Sequence, residues 1–314
     1  MALCCAAFAS STLSFQDGFM RSVPASDCKS KTIIVKRKDK HKHRKLPKHR
    51  FTAATADKYE LYQMSVQSPE EDIDFLVDVY RTERGRTPRH FREDFCGTGL
   101  LTATWIKRDP ANTAEGFDID PEPVAWGRAR HFAELGEAAE RATIHLKDAR
   151  EPSDRAPDVR CAQNFSYWIF KTRPEMLDYF ARAREDLAEG GIFVIDLHGG
   201  PESVDLMEEE TELEEEGFTY VWDQYEHWPV TGEARLFIHF RFPDGTEMTR
   251  AFEYDWRLWG LAELREILED AGFSQVDCYW EGTDEDGESG DGVFTKEARG
   301  EHCVSYVAYL VALK

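Results

Sequence analysis

The sequence lacks the features that mark several well-defined classes of protein. No apolar run approaches the roughly 18 residues that a membrane-spanning helix needs, so no such helix is predicted. No internal repeat with a period of about 20–50 residues is visible, which argues against a solenoid or a propeller. The seven cysteines include no CxxC pair, so no zinc site is predicted, nor any other metal site. Their odd number, spread over a large domain, indicates free thiols in a reducing compartment, the cytoplasm.

Positive charge is scarce outside one segment of the chain. The 314 residues include 39 Lys and Arg against 60 Asp and Glu. Residues 1–50 hold 12 of those basic residues and three acidic ones, a net charge of +9, so the rest of the chain has a net charge of −30. A body this acidic repels polyanions, which argues against nucleic acid as the substrate and favours a small molecule, including a cationic one.

Residues 1–50 are predicted to be a disordered basic tail or a targeting segment, and residues 51–314 to be the globular domain. Residues 1–28 are rich in Ser and small residues, with no acid before Asp17, a composition typical of an organelle transit peptide. A plain disordered tail explains the same composition. The basic block at 36–50, KRKDKHKHRKLPKHR, indicates a solvated segment or a contact with nucleic acid or an anionic membrane.

The first half of the domain alternates between helix and strand patterns. Ser68, Pro69 and Glu71 predict a helix start, with Ser68 as N-cap and Glu71 closing a capping box. Short apolar strands are predicted at 90–94, 113–117, 143–146, 159–165 and 192–197, with helices between them, the last at 174–187. Such alternation is typical of a doubly wound, mostly parallel α/β sheet of the Rossmann type.

After His198 the pattern changes to an antiparallel one. Residues 208–216 are predicted to be an acidic loop or a helix end. Three aromatic strands follow at 218–227, 234–242 and 247–256, and the tight turns between them make them antiparallel neighbours. This insert, about 217–259, follows strand five; a helix at 262–271 and strands at 274–281 and 304–313 complete a predicted seven-stranded sheet. The acidic loop between the last two strands is not predicted to be an EF-hand calcium loop, because Ser289 stands at the sixth position, where such a loop needs Gly.

A glycine-rich turn after the first strand is the centre of the functional prediction. In Cys96-Gly97-Thr98-Gly99 the glycines let the backbone approach a ligand at a helix N-terminus. Asp118 ends the second strand, where a carboxylate can accept hydrogen bonds from both ribose hydroxyls of an adenosine ligand. Asp148 ends the third strand, where it could accept a hydrogen bond from the adenine amine. The full dinucleotide fingerprint is absent, because position 102 holds neither Gly nor Ala.

Over about residues 59–314, these motifs resemble the class I S-adenosylmethionine-dependent methyltransferases. Phe95 departs from the pattern, since the family has Gly there, and this puts the path of the loop in question. The resemblance implies S-adenosyl-L-methionine as cofactor. It implies that the cofactor is held by Tyr59, Tyr62, Glu93, Cys96, Gly97, Thr98, Gly99, Asp118, Ile119, Asp148, Ala149, Asn164 and Phe165.

A class I core with an antiparallel lid after its fifth strand resembles the small-molecule N-methyltransferases of glycine and amino-sugar type. That resemblance implies an N-terminal helix that brings Tyr59 or Tyr62 onto the cofactor, and a lid that covers the acceptor. The predicted reaction is methyl transfer to nitrogen, or to oxygen, of a small metabolite. The candidate acceptor-site residues are Asn164, Tyr167, His198, Tyr254, Trp256 and Arg257, the last for a substrate carboxylate.

Two other functions remain open from the sequence. One is an RNA methyltransferase tethered by the basic tail, which the net charge of −30 opposes. The other is a regulatory protein that binds the cofactor without catalysis, for which Phe95 in the glycine motif is the best support. The lid edge could also pair two chains in a homodimer.

Deleting residues 1–50 should leave the fold intact. Because this segment lacks apolar periodicity, we expect the thermal midpoint of the truncated chain to stay within about 2 °C of the full chain, measured by circular dichroism. Aggregation or a clearly lower midpoint of the truncated chain would show that the tail belongs to the domain.

Overall fold

The computed structural model describes residues 31–36, 50–283 and 290–314. The predicted targeting segment, residues 37–49 of the basic block and residues 284–289 of the acidic loop lie outside the described residues. The helices are α1 (Lys58–Val66), α2 (Pro69–Arg84), α3 (Leu100–Arg108), α4 (Pro121–Gly127), α5 (Ala133–Leu135), α6 (Arg173–Asp186) and α7 (Leu261–Asp270). The strands are β1 (Lys31–Lys36), β2 (His90–Asp94), β3 (Thr113–Asp118), β4 (Ala142–Leu146), β5 (Val159–Ala162), β6 (Ile192–Gly199), β7 (Met207–Leu213), β8 (Phe218–Trp228), β9 (Glu233–Arg241), β10 (Glu247–Arg257), β11 (Gln275–Thr283), β12 (Gly290–Lys296) and β13 (Tyr306–Leu313).

The larger sheet confirms the predicted doubly wound architecture. Its order is β12-β11-β13-β6-β5-β2-β3-β4, with β4, β3, β2, β5 and β6 parallel and β13 antiparallel to β6. It has eight strands and not the predicted seven, because β12 forms in the region that the sequence predicts as an acidic loop and pairs with β11. The carboxyl ends of five parallel strands therefore meet at one edge of the sheet.

The helix starts correct one predicted cap and show two others. Asp120 caps α4 by accepting a 2.9 Å hydrogen bond from the Glu122 amide. The predicted capping box at Ser68 is wrong: its side chain makes no cap bond, because its backbone ψ of 68° departs from the extended conformation that a capping side chain needs. A capping box does form at the start of α6, between Thr172 and Glu175.

The smaller sheet contains the predicted antiparallel insert and has the order β1-β7-β8-β9-β10; we refer to this sheet as the lid. The prediction of a loop or helix end at 208–216 is wrong, because β7 is a strand paired antiparallel with β8. Its acidic residues are tolerated because Glu208 and Glu210 lie on the face where Arg241 of β9 pairs with both of them. Met207 and Leu213, on the opposite face of β7, are buried in the core.

Strand β1 runs parallel to β7 along one edge of the lid. This strand lies within the predicted tail, before the predicted domain boundary at residue 50. Because β7 also pairs with β8, its pairing does not depend on β1 alone, and the boundary stays a prediction. Strand β10 lies at the other edge. The predicted pairing of two chains through the lid also stays a prediction.

No helix among the described ranges is both long and apolar enough to cross a bilayer. The cysteines in those ranges, Cys96, Cys161, Cys278 and Cys303, are all free thiols. Cytoplasmic location and organelle targeting stay predictions.

A network of buried charges holds the centre of the larger sheet. Arg92 of β2 and Arg160 of β5 are 0% exposed, and both bond to Asp94, each at 2.7 Å. Asp186, at the end of α6, bonds to the same two arginines at 3.0 and 3.2 Å. Two cations and two anions therefore balance, which is the condition for burying charges at tolerable cost.

Arg160→Met should destabilise the protein strongly. Because Asp94 and Asp186 would remain buried with one cation fewer, we expect a loss of about 3–5 kcal/mol in the free energy of unfolding, measured by urea denaturation. The matched control is Arg182→Met, which removes an exposed pair with Asp178 on α6 and should cost about 0.5 kcal/mol or less. Equal losses in the two variants would contradict a central role for the network.

Candidate active site

The glycine-rich loop leaves β2 and enters α3 through left-handed backbone. Phe95, Gly97 and Gly99 have φ of 55°, 52° and 68°. Phe95 therefore adopts a conformation that favours glycine, at a cost of about 1–2 kcal/mol. Its ring lies 6.1 Å from that of Phe170 and 5.8 Å from that of Tyr179, so aromatic packing offsets the cost. The departure from the family motif thus changes the side chain while keeping the backbone conformation suited to glycine.

Close packing holds this loop in place. A Cβ on Gly127 of α4 would lie 1.8 Å from the Thr98 carbonyl oxygen, and a Cβ on Gly116 of β3 would lie 3.0 Å from the Cys96 Sγ. Cys96 is buried, and burial raises the pKa of its thiol well above the usual value. It is a small spacer beneath the loop and not an activated nucleophile.

Glu93, near the end of β2, reaches behind the loop to the first turn of α3. Its carboxyl accepts a 2.8 Å hydrogen bond from the Thr102 amide and another from the Thr102 hydroxyl. Burial raises the pKa of Glu93 to about 8. The structure thus shows Glu93 bonded to the first turn of α3, and its contact with a cofactor stays a prediction.

Asp118 lies at the carboxyl end of β3, beside the loop. Its two oxygens accept hydrogen bonds from the Gly97 amide at 2.7 Å and the Asp120 amide at 2.8 Å. Burial raises its pKa above the usual value. The next side chain, Ile119, is 70% exposed, so a fixed carboxylate and an open apolar surface lie side by side. That combination suits a ribose and the flat ring attached to it.

The residues after β4 are held from two sides. Asp148 forms a bidentate pair with Arg150 at 2.9 and 2.7 Å, and this pairing lowers the pKa of Asp148. Its carboxylate is therefore occupied where the sequence predicts an adenine contact. The carbonyl of the buried Ala149 accepts bonds from Arg92 at 2.7 Å and Arg160 at 2.6 Å, so the buried charge network fixes this turn.

Helix α1 lies over the glycine-rich loop, and Gln63 is the residue that attaches it. The Gln63 amide donates to the Thr98 hydroxyl at 2.9 Å, whereas sequence reasoning singled out only the tyrosines of this helix. Tyr59 packs on Trp126 with ring centroids 5.6 Å apart. Tyr62 packs on Phe252 of the lid at 5.0 Å. Helix α1 therefore joins the core and the lid.

A strained turn follows β5. Asn164 and Phe165 have φ of 54° and 57°, which ends the strand earlier than the predicted residue 165. Their amides donate to the carboxylate of Asp196 in β6 at 2.7 and 3.1 Å. Burial raises the pKa of Asp196 to about 7. Sequence reasoning missed Asp196, although an acid inside the apolar strand IFVIDLHG is a signal for such a role.

Three predicted acceptor residues have other tasks in the structure. Tyr167 is fully buried and donates to the Asp196 carbonyl at 2.7 Å. Trp256 is 3% exposed and packs as part of the core. Arg257 donates to the Lys171 carbonyl at 3.1 Å and to Glu263 at 2.8 Å, so its guanidinium ties the lid to α7. These contacts leave their predicted acceptor roles without support.

His198 ends the run of buried residues in β6, under the lid. Burial lowers its pKa to about 4, so the ring is neutral, and its Nε2 has no hydrogen-bond partner among the described residues. The ring lies 4.7 Å from Phe165, 5.0 Å from Trp168 and 6.4 Å from Trp222 of the lid. The side-chain N–H groups of Trp168 and Gln163 are likewise buried and unpartnered in the described ranges. Such groups indicate a place where a ligand supplies the missing partners.

The lid completes the enclosure with aromatic rings. Tyr254 lies 5.8 Å from Trp222 and 4.2 Å from Trp256, and its hydroxyl hydrogen-bonds to that of Tyr62 in α1. The ends of β5 and β6, helix α1 and the inner face of the lid thus meet in one region of clustered rings and hydroxyls, here named the enclosed space.

Glu115, His145 and Asp154 place ligand atoms close enough for a metal ion. The Glu115 carboxylate, however, contacts His90 at 3.1 Å and His145 at 2.8 Å, and accepts bonds from two loop amides. Although burial acts to raise it, these bonds lower the pKa of Glu115 to about 2. The donors already present satisfy this carboxylate, so we regard the cluster as a link between strands.

Comparison with solved structures agrees with the sheet order. An amino pentose methyltransferase from Micromonospora echinaspora, CalS10, matches with a TM-score of 0.56 and 18% identity over 82% of this chain and 97% of its own. DesVI from Streptomyces venezuelae gives 0.56 and 18% over 82% and 96%. An S-adenosylmethionine-dependent methyltransferase from Clostridium acetobutylicum gives 0.58 and 14% over 80% and 96%. The chain has the class I methyltransferase fold. No family model and no curated protein matches its sequence.

Stability should fall as the pH rises through neutrality, and Glu93 should be part of the cause. Its folded-state pKa of about 8 lies above the usual value of 4.5, so the folded state holds the extra proton between those values and loses that advantage as the pH rises. We expect Glu93→Gln to reduce the decline in unfolding free energy between about pH 5 and 8, measured by urea denaturation. The exposed Glu189→Gln should leave the decline unchanged, and an unaltered decline in Glu93→Gln would contradict the assignment.

Proposed function

We propose that the protein is an S-adenosylmethionine-dependent methyltransferase that acts on a nitrogen atom of a small molecule. The observation that carries the proposal is the pairing of Asp118 with Gly97 at the edge of a sheet with class I order, next to the exposed Ile119. This arrangement offers a ribose acceptor, an apolar surface for adenine and a backbone loop open to close approach.

The residues at this edge fit the cofactor. Asp118 would accept the ribose hydroxyls, Ile119 would contact the adenine ring, and the turn at Asn164 and Phe165 would lie beside the methionine part. Bound S-adenosylmethionine supplies a methyl group activated by a positively charged sulfur. The buried, unpartnered Nε2 of Gln163 is a donor that such a ligand can satisfy.

A small acceptor is favoured because the lid covers the region next to this edge. Rings from Trp222 and Tyr254 in the lid and His198 in the core line it. Nitrogen is favoured by analogy, because CalS10, which matches over most of its length, is described as an amino pentose methyltransferase. The acidic body disfavours RNA, whose phosphates it would repel.

The chain's contribution to the reaction is mainly alignment and exclusion of water. Methyl transfer is an in-line displacement, so holding the acceptor atom opposite the sulfur supplies most of the rate enhancement. Asp196 fixes the turn after β5 through two amides, and Gln63 fixes helix α1 on the loop. Both parts of the site are therefore positioned before the ligands bind.

The test is transfer of a labelled methyl group from S-adenosylmethionine to a panel of amino sugars, amino acids, simple amines, alcohols and RNA. Transfer to a small amine supports the proposal. Transfer only to RNA, or tight cofactor binding with no transfer to any class, contradicts it and supports one of the two alternatives.

Asp118→Ala should weaken cofactor binding. The variant removes the acceptor of two ribose hydroxyls and the partner of the Gly97 amide, so we expect a loss of about 1–3 kcal/mol or more in binding free energy, measured by calorimetry. The matched control is Asp178→Ala, which removes an exposed carboxylate of α6 and should not change the affinity. Unchanged affinity in a folded Asp118→Ala protein would overturn the assignment.

A further inference from the structure

One carboxylate of the lid faces the enclosed space. Along β7, Met207 and Leu213 are buried against the core, and side chains alternate between the two faces of a strand. Glu209 therefore lies on the inner face with them, whereas Glu208 and Glu210 lie on the outer face, where Arg241 pairs with both. Glu209 is half-buried.

Two aromatic residues of β8 lie beside Glu209. Its partner across the strand pair is Trp222, whose ring lies 6.4 Å from His198 and 5.8 Å from Tyr254. Burial raises the pKa of the Tyr220 hydroxyl, and the nearby hydroxyl of Tyr62 in α1 and the nearby carboxylate of Glu209 raise it further. The inner face thus brings a carboxylate to the rings that line the enclosed space.

Glu209 also differs from its neighbours in its pairing. Among residues 50–283 and 290–314 no hydrogen bond or ion pair involves its carboxylate, while both flanking glutamates are ion-paired. An unpaired, partly buried carboxylate costs folding free energy, so its position on this face is best explained by a ligand cation.

We propose that Glu209 binds the protonated amino group of the methyl acceptor and takes its proton before transfer. This inference rests on the proposed function and deepens it, since it restricts the acceptor to a cationic amine. Tyr220 and Trp222 add the attraction of their ring faces for the cation.

The proton balance of the step is simple. The acceptor R–NH₃⁺ gives one proton to the Glu209 carboxylate, which frees the nitrogen lone pair. That pair forms the N–C bond while the C–S electron pair returns to the positively charged sulfur, so the products are R–NH₂⁺–CH₃ and neutral S-adenosylhomocysteine. The proton then leaves Glu209 for water, and one proton is released in each turnover.

The titration of Glu209 agrees with this role. Burial raises its pKa to about 7, with a further contribution from the nearby charge of Glu202. A base with a pKa close to the working pH is efficient at removing a proton. Another titratable group near it is the Tyr220 hydroxyl, whose pKa burial raises. His198 of β6, on the far side of the Trp222 ring, is neutral above about pH 4.

The test uses tetramethylammonium, whose charge does not change with pH, and tert-butanol as its neutral counterpart. Binding to the full chain saturated with S-adenosylhomocysteine is measured by tryptophan fluorescence at constant ionic strength. We expect tetramethylammonium to bind more tightly at pH 8.5 than at pH 5.5, following ionisation of a group with a pKa of about 7. In Glu209→Gln the affinity should fall about tenfold or more and lose this pH dependence.

Two further variants make the result specific. Glu212→Gln removes a charge from the outer face of the same strand and should bind tetramethylammonium like the unaltered chain. Glu209→Asp keeps the charge and should keep the pH dependence, which covers the case in which Glu209→Gln fails to fold.

Equal binding of tetramethylammonium by the unaltered chain and Glu209→Gln, or no binding by either, would overturn the inference. Cofactor affinity, measured separately by calorimetry, distinguishes failure of the inference about Glu209 from failure of the proposed function. If the tetramethylammonium test fails but the unaltered chain binds S-adenosylmethionine, only this inference is wrong and the proposed function stands. If the unaltered chain does not bind S-adenosylmethionine, both the inference and the proposed function are wrong.

Discussion

Two arginines are buried side by side in the central parallel strands, and the edge of the sheet depends on how their charge is balanced. Arg92 and Arg160 share Asp94 and Asp186, and both also donate to the Ala149 carbonyl. The network therefore joins two strands, one helix and the turn after β4, which borders the candidate cofactor site. Because removing any member leaves an uncompensated charge in the interior, these elements are held in one relative arrangement.

The same principle recurs nearer the site, where carboxylates fix backbone that would otherwise be strained. Asp196 accepts the amides of Asn164 and Phe165, both of which have left-handed backbone. Asp118 accepts the amide of Gly97 in the glycine-rich loop. The candidate site is thus formed by loops whose shape is set by buried or half-buried acids, which makes it rigid before any ligand arrives.

The lid differs from the core in the way it uses charge. Its outer face carries the partly buried ion pairs of Arg241, and its inner face carries aromatic rings with Glu209 beside them. Helix α1 connects the two parts, since Gln63 bonds to the glycine-rich loop and Tyr62 bonds to Tyr254 of the lid. Helix α1 therefore contacts both the candidate cofactor edge and the proposed acceptor region.

The sequence by itself determined the parallel core, the antiparallel insert and the positions of the loop glycines and Asp118, because these follow from local periodicity and turn chemistry. It did not reveal that β7 and β12 are strands, since acidic runs are typical of loops and only pairing partners such as β8 make them strands. Nor could it show that Tyr167 and Arg257 donate to backbone carbonyls or that Trp256 packs in the core, and their contact with an acceptor stays a prediction. The side on which a residue lies, and the partner that takes its polar atoms, depend on contacts between distant segments, and only the tertiary structure decides those.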